Sequence, residues 1–552
     1  MTTDLNGQGD GQLSSSQPYM TESSVASVDT RTLIILAFAA TAGVLVEFYD
    51  FAVFGFAVAS AFPQIFFPKL PPTQALVFSY LAYAAGHPAR LLGAFIFGHF
   101  GDRYGRKFAF LINIVVVGAS TCLTGLLPGY AAIGIAAPVL LVLLRIIQGI
   151  GVGGEFGGAT ALLAEFGAKR RSRAFWMSLA NLGLALGIMA ASAMFLLLRK
   201  SFATTGWRVA MLFSAIIVIP ALVARYKLAD SPLFEQLKHS EQLARLPSFD
   251  VFRKHAGSIF LLATVAAFQN LDTVVTGTYI ISFMQLAGIP LAATAIIIFV
   301  SRFADVTGVL LSGPLADLCT RKRLAYFAIA ATMLVSYPFA MAIVKNHLVL
   351  VAALQCLIVL FGMGLLHGLV PILTSETFPT RFRYSGAGIS YGLSGILAGM
   401  IAPALLARLI GQDVVHRWQY LPAIYAIYGA AAMIALLFIR ETRNIRLEDL
   451  DGAEVRDAAK DGHANHYPSK LVDSRAMKGV GCFVLVLCLA LWFANTVHAQ
   501  ENPLQAPPAV ISDPAADPEF PATMGWPDIP SHGPSFIRSS TLHRVRARIR
   551  LC

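Results

Sequence analysis

Charged residues are scarce in this chain. Asp, Glu, Lys and Arg together make up 13% of it, about half the share usual in soluble domains. With 552 residues and 56% hydrophobic content, a water-soluble fold could not hide so much apolar surface. The bilayer is therefore the expected solvent. Acidic residues are the scarcer sign, 31 against 42 basic, for a net charge of +11. A basic excess serves nucleic acid when Lys and Arg crowd one soluble face. Here they stand in short clusters between long apolar runs, as in the cytoplasmic loops of membrane proteins, so no nucleic-acid partner is expected. Cysteine is rare too. Cys122, Cys319, Cys356, Cys482, Cys488 and Cys552 show no C-x-x-C spacing, and they read as packing residues, not metal ligands. Neither G-x-x-x-x-G-K-[ST] nor H-E-x-x-H occurs. A nucleotide-driven pump and a zinc hydrolase thus have no motif to stand on, and no cofactor is expected.

What is present is apolar runs of spanning length, about 20 residues each. Residues 1–30 are a polar arm read as disordered, without the basic start and apolar core of a signal peptide. Twelve segments follow, at 33–60, 76–99, 108–127, 136–163, 174–198, 207–228, 257–285, 291–313, 325–344, 348–374, 384–411 and 419–440. They lack the period-2 alternation of barrel strands, so helices are predicted. Basic connections alternate with neutral ones. Arg103, Arg106 and Lys107 join segments 2 and 3, and Lys169, Arg170, Arg171 and Arg173 join 4 and 5. Arg321, Lys322 and Arg323 join 8 and 9, while Arg381 and Arg383 join 10 and 11. Arg199 and Lys200 after segment 5 are a mild exception. The positive-inside rule places the basic loops and the N-terminus in the cytoplasm.

The chain also repeats itself. A polar, basic linker at 229–256 divides the spans into 31–228 and 257–445. GHFGDRYGRK (98–107) matches GPLADLCTRK (313–322), pairing Gly98 with Gly313, Asp102 with Asp317, and Arg106-Lys107 with Arg321-Lys322. AEFGAKRRSR (164–173) parallels SETFPTRFR (375–383), pairing Glu165 with Glu376, and LADSP (228–232) parallels IRETR (439–443). Three matches in order, offset by 215, 211 and 211 residues, argue for duplication. Two parallel halves with a site between them near the midplane is a transporter architecture.

The stretch RIIQGIGVGGEFGGA (145–159) contains G-x-G-x-x-G. It lies inside one continuous apolar run with no strand before it, and Glu155 would repel a phosphate. The glycines are read instead by period: Gly149, Gly153 and Gly157 recur every four residues, a spacing that lets helix backbones approach closely. That contact serves either packing alone or the sliding of helices within a half.

G-x-x-x-D-R-x-G-R-K with its degenerate second copy, and RIIQG in segment 4, resemble motifs of the major facilitator superfamily. VEFYDF (46–51), GIGVGGEFGGA (149–159) and SETFPTRFRYSG (375–386) resemble its metabolite–proton symporter branch. That branch includes carriers of citrate, other di- and tricarboxylates, shikimate, and proline or betaine. The resemblance covers roughly 31–445, with Leu91, Asp230 and Thr320 departing from its pattern. It implies a proton-coupled carrier in the inner membrane. In that superfamily the loop motif forms a latch that closes the cytoplasmic side. Here Gly98, Asp102, Arg103, Gly105, Arg106 and Lys107 would face Glu165 with Arg171 or Arg173. Their second-half counterparts are Asp317, Arg321, Lys322, Glu376, Arg381 and Arg383. The alternative is a positive-inside cluster with no gate. Thr320 in place of Gly implies a weaker second gate.

Ionisable side chains within a span cost about 2.5–3.5 kcal/mol at helix centre, so each needs a reason. Arg90 and Asp305 each lie twelve residues before their loop Asp, about 18 Å into the membrane. His87 and Arg302 sit one turn further out. Arg90 and Arg302 are candidates to meet a substrate carboxylate, since guanidinium stays charged and binds bidentately. The alternative is that Arg302 pairs with Asp305 inside its own helix. Glu47, Asp50, Glu155 and Asp305 are candidate proton carriers or structural ion pairs. His87 titrates in the useful range or merely packs. Arg145 and Gln148 share a face with Glu155, while Asn270 and Asp272, beside Gln269 and Thr273, offer a polar lining.

After Asp451 the chain turns polar (446–476), then MKGVGCFVLVLCLALWFANTVHA (477–499) resembles a signal peptide or a thirteenth span. A Pro-rich tail at 500–552 reads as disordered. Neither is given a transport role. The expected fold is all-α and integral to the membrane, with twelve transmembrane helices in two pseudo-symmetric six-helix halves. The expected function is proton symport of a small organic solute by a monomer, with a mono-, di- or tricarboxylate ahead of a zwitterion. A channel or a membrane enzyme is the remote alternative.

Overall fold

The computed structural model describes residues 30–104, 106–167, 172–226, 247–411 and 413–443. Every regular element among them is helical. Eleven helices there are long and apolar enough to cross a membrane. We number the spans α1 (Leu33–Ser60), α3 (Lys107–Leu126), α4 (Ala136–Ala164), α5 (Arg173–Leu197), α6 (Phe202–Tyr226), α7 (Ala256–Leu286), α8 (Leu291–Leu318), α9 (Arg321–Val344), α10 (Leu348–Ser375), α11 (Thr380–Ile410) and α12 (Val414–Phe438). The remaining span, α2, is broken at Ala85 into Pro72–Ala84 and Gly86–Tyr104. Pro88 sits in the first turn of its second piece, where a missing N–H costs no helical bond. This piece carries His87, Arg90, His99, Asp102 and Arg103, which lowers its hydropathy without preventing it from spanning.

The expected segments therefore hold to within a few residues, with one difference at the linker. Helix begins at Pro247 and runs into α7 through a kink at His255 (φ −120°, ψ 24°). The end of the expected linker is thus helical. The arm, residues 227–246 and everything after Arg443, including the signal-like stretch 477–499, lie outside the described residues.

Burial sorts the spans. The most apolar window of α7 is 94% buried and that of α6 only 28%, so α7 is central and α6 faces lipid. In the first half α1 packs on α5 and α6, and α2 on α4; in the second α7 packs on α12, and α8 on α10. The halves meet where α2 and α4 touch α11, and where α5 touches α8.

One contact occurs twice. Gly153 of α4 lies on the backbone of α2 at Arg90, Gly93 and Ala94. Gly364 of α10 lies on the backbone of α8 at Asp305 and Gly308, where an added Cβ would fall 2.7 Å from Gly308 Cα. The loop offset of 215 carries Gly93 to Gly308 and Arg90 to Asp305. The other offset, 211, carries Gly153 to Gly364. The duplication is thus written into helix packing as well as into loops. Helices 7, 10 and 11 each contain a wide π turn, at Val275–Tyr279, Val359–Leu365 and Gly395–Met400. Such turns leave backbone groups out of the regular ladder and often mark functional sites.

Candidate functional site

Every candidate acid and arginine within the spans faces inward. Glu47, Asp50, His87, Arg90, Arg145, Gln148, Glu155, Asn270, Asp272, Arg302 and Asp305 are all buried. Lipid cannot solvate them, so each must find its partner inside the bundle.

In the first half α1 supplies Glu47 and Asp50 three residues apart, hence on one face. Glu47 pairs with Arg90 of α2 at 2.8 Å. Arg90 also lies over the ring of Tyr391 from α11, 4.7 Å from its centroid. That ring stacks on Phe156 of α4 at 3.9 Å, so the arginine meets the other half through an aromatic face. Asp50 takes a different route. Thr121 of α3 donates to it at 2.5 Å, and Gln148 donates to Thr121 at 2.7 Å. Arg145 donates to Gln148 at 2.5 Å and to the Tyr83 carbonyl at 3.3 Å, while its guanidinium sits 4.0 Å from the Phe51 ring centroid. Glu155 is held by Arg225 of α6, which also donates to the Phe110 carbonyl at 2.8 Å. His87 lies between the rings of Phe51 and Tyr83, 5.7 and 5.9 Å away, below Gly399 of α11.

In the second half Arg302 and Asp305 meet at 3.5 Å within α8. Asp305 also receives Nδ1 of His367 from α10 at 3.3 Å, and the other ring nitrogen of His367 meets Thr273 Oγ1 at 3.0 Å. Asp272 accepts from the Tyr425 hydroxyl at 2.5 Å. Asn270 donates to Ser394 at 2.7 Å, and Gln269 to the Tyr391 hydroxyl at 3.3 Å. A polar chain thus runs from Asp305 through His367, Thr273 and Gln269 to Tyr391, and through its ring to Arg90 and Glu47.

At the end that carries the basic loops, Asp102 accepts from the backbone N–H and the hydroxyl of Ser385, at 2.9 and 2.6 Å. Ser385 lies in the first turn of the helix Arg383–Ser394. The acid therefore sits at a helix N-terminus of the opposite half, where backbone donors and the helix dipole favour negative charge. The duplicated position is similarly placed: Asp317 lies close to the backbone N–H of Ala174, at the start of α5. Gly98 and Gly313 allow both approaches, against Ser385 and against Ala174–Phe175. Glu376 takes Arg173 at 2.5 Å and Arg321 at 3.3 Å, one arginine from each half, and the Thr442 hydroxyl besides. Arg321 reaches Asp317 at 3.5 Å, Arg383 donates to the Ser375 carbonyl at 3.1 Å, and Arg381 lies against Phe382. Lys322 donates its backbone N–H to Glu441 at 3.1 Å. Arg103 lies near Tyr104, and Lys107 near Tyr226. Gly105 and Arg171, and the side chains of Arg106 and Glu165, lie outside the described residues.

Sequence reading missed Arg225, His367, Tyr391 and Thr121. Arg225 sits at a span end, where a basic residue resembles a loop anchor. His367 stands alone in an apolar run, and only spatial neighbours distinguish it. Thr121 and Tyr391 are ordinary span residues until their partners are known.

Comparison with known proteins agrees with this geometry. Residues 35–247 match the family model described as "Sugar (and other) transporter". The chain is 35% identical over 439 residues to the inner membrane metabolite transport protein YhjE of Escherichia coli, covering 77% of this chain and 97% of that protein. It is 30% identical over 406 residues to the shikimate transporter of the same organism, covering 72% and 92%. A solved structure of the proton:xylose symporter XylE, bound to 6-bromo-6-deoxy-D-glucose, superposes with a TM-score of 0.62 at 20% identity. It covers 76% of this chain and 99% of that one, which is a likeness of fold. Two six-helix halves built on the same glycine contact, with loop acids set against helix starts of the opposite half, and relatives that share about a third of their residues, place this chain in the major facilitator superfamily, among its metabolite transporters.

Proposed function

We propose that the protein is a proton-coupled symporter of a small organic solute carrying a carboxylate. It works as a monomer in the inner membrane, with the N-terminus and the basic loops in the cytoplasm. The halves 31–228 and 257–445 rock about the linker to expose the central site alternately. The observation that carries this reading is the charge balance of the buried centre. Glu47, Asp50 and Glu155 stand against Arg90, Arg145 and Arg225 in the first half; Asp272 and Asp305 stand against Arg302 in the second. Among the described residues the centre thus holds no surplus cation. An anion entering it must bring protons along, because an uncompensated charge in a low-dielectric site is strongly disfavoured. Protonating an acid such as Glu47 or Asp305 releases its arginine for the solute carboxylate. Solute and proton then bind together or not at all, which is symport.

The same balance also favours a second solute class. A zwitterion such as proline or glycine betaine adds no net charge and could bridge an existing acid–arginine pair. Purified protein in proteoliposomes, given a pH gradient acid outside, should accumulate shikimate, citrate, proline or glycine betaine. A protonophore should collapse that accumulation. Uptake driven equally well without a gradient, or a flux that does not saturate, would overturn the symport reading in favour of a facilitator or a channel. Preference for the zwitterions over the acids would decide between the two solute classes.

A further inference from the structure

His367 is fully buried on α10, directly after the π turn Val359–Leu365, and no motif drew attention to it. Its surroundings suit a group that gains and loses a proton without disturbing the backbone. Nδ1 faces Asp305 at 3.3 Å. A neutral imidazole with the proton on that nitrogen donates to the carboxylate and leaves Nε2 as an acceptor. Nε2 lies 3.0 Å from the Thr273 hydroxyl, which is also 2.9 Å from the Gln269 carbonyl. With neutral His367 the hydroxyl donates to Nε2. With His367 protonated, Nε2–H donates to Thr273, and the hydroxyl turns to the Gln269 carbonyl. Both states are hydrogen-bonded, and one O–H rotation separates them.

The consequence falls on Arg302. Its guanidinium is fully buried, yet its partners are poor for so strong a donor. They are Asp305 at 3.5 Å, the Met363 sulfur at 3.1 Å and Ser301 at 3.2 Å, while Nε has none. Neutral His367 leaves Arg302 as the cation that balances Asp305. Protonated His367 takes over that role.

We propose that His367 and Asp305 form a proton-binding dyad in the second half, and that loading it frees Arg302 to bind the carboxylate of the transported solute. This rests on the symport reading above. The other charged groups near His367 do not substitute for it. On α8 they are Asp305 and Arg302, and on α7 it is Asp272, whose Oδ1 accepts from the Tyr425 hydroxyl while its Oδ2 has no hydrogen-bond partner. From α5, Asn181 donates its amide to the His367 carbonyl at 2.9 Å, and Arg173 lies at the far end, on Glu376. The nearest charges of α9 and α11, Arg321 and Arg383, are likewise at that end of α10, on Glu376 and the Ser375 carbonyl. On α4, Glu155 is turned to Arg225. The Asn181 contact crosses between halves, so the loaded dyad sits at the joint that must move.

The test has two arms. In the first, the full-length protein carries ¹⁵N-labelled histidine, and the His367 resonance is assigned by its loss in His367→Gln. The Nε2 signal is followed between about pH 5 and pH 9; the expected result is that it reports proton uptake in the wild type and that Asp305→Asn changes this response. A resonance that stays neutral or stays charged over that range, or that ignores Asp305→Asn, overturns the dyad. In the second arm, proteoliposomes take up shikimate. His367→Gln, which keeps hydrogen-bonding capacity, should lose acceleration by an acid-outside gradient, about tenfold, and any uptake that remains should no longer respond to external pH. Full gradient response in that variant also overturns the dyad. If the wild type shows no gradient-driven uptake while His367 titrates and follows Asp305, the symport reading fails and the proton site stands.

Discussion

A buried arginine in this protein is only as tolerable as its carboxylate. Glu47 and Arg90 lie 2.8 Å apart with almost no exposure. Removing one partner of such a pair strands a charge and costs about 3–5 kcal/mol, whereas replacing both with neutral groups is close to neutral. Arg90→Ala should therefore lower thermal stability in detergent sharply, and Glu47→Gln combined with Arg90→Gln should restore most of it without restoring solute uptake. If the double variant transports normally, the pair is structural only. Asp50 differs, because it meets Arg145 only through Thr121 and Gln148. Thr121→Val removes that bridge while keeping the volume. It should reduce uptake about tenfold or more and also cost about 1–3 kcal/mol, because it strips the buried Asp50 carboxylate of its donor, as measured by initial rates and unfolding temperature; normal uptake in the destabilised variant would mark the bridge as scaffolding.

Elements meet here with little room to spare. A Cβ at Gly153 would fall on the Arg90 carbonyl and the backbone of Ala94, and backbone cannot turn away as a side chain can. Overpacking typically costs about 1–3 kcal/mol. Gly153→Leu should abolish transport through the α2–α4 contact, and full uptake in that variant would remove any role for it. At the head of α9, Thr320 breaks the resemblance that sequence offered. Its hydroxyl accepts from the Arg323 N–H at 3.2 Å, so the residue that reads as a weaker gate is also a helix cap. Thr320→Ala should cost about 1 kcal/mol and Thr320→Gly a few tenths, read from thermal unfolding. At the kink into α7, burial beside Phe378 and Phe382 pushes His255 down to about 4 from its ordinary 6.5, helped by the charges of Arg381 and Lys254. The folded protein holds it neutral where the unfolded chain takes up a proton. Its contribution to stability is thus full above pH 6.5 and is lost as pH falls toward about 4. His255→Phe should flatten the pH dependence of unfolding in that window; an equally steep acid loss in the variant would show that other groups carry it.

For the whole molecule, the decisive contacts are those between halves. Glu376 binds an arginine from each half, and Asp102 and Asp317 sit at helix starts of the opposite half. Neutralising Glu376 leaves both arginines with weaker acceptors. Glu376→Gln should raise the reactivity of cysteines placed at the basic-loop end several-fold and speed opening there. Asp102→Asn should lock or leak the carrier. Unchanged uptake and labelling kinetics in both would leave these loops as topological anchors and no latch.

Much of this was legible without coordinates. Lipid tolerates only helices with satisfied backbones, so composition alone determined the class, and run lengths located twelve spans to within a few residues. Duplication was visible because the loops of the two halves carry matching residues at nearly constant offsets. Even the equivalence of Arg90 and Asp305 followed from the offset of 215 residues between the loop copies. Partnership did not follow. Nothing in sequence distance links Glu155 to Arg225, Asp305 to His367, or Arg90 to Tyr391. These pairs join residues 70, 62 and 301 positions apart, and only the angular setting of packed helices brings them face to face. Spacing along a helix tells which residues share a side. What stands opposite that side, and so whether a buried charge is balanced, shared or free to bind, is decided by tertiary structure, because in a low-dielectric interior each charge is governed by the few atoms that touch it.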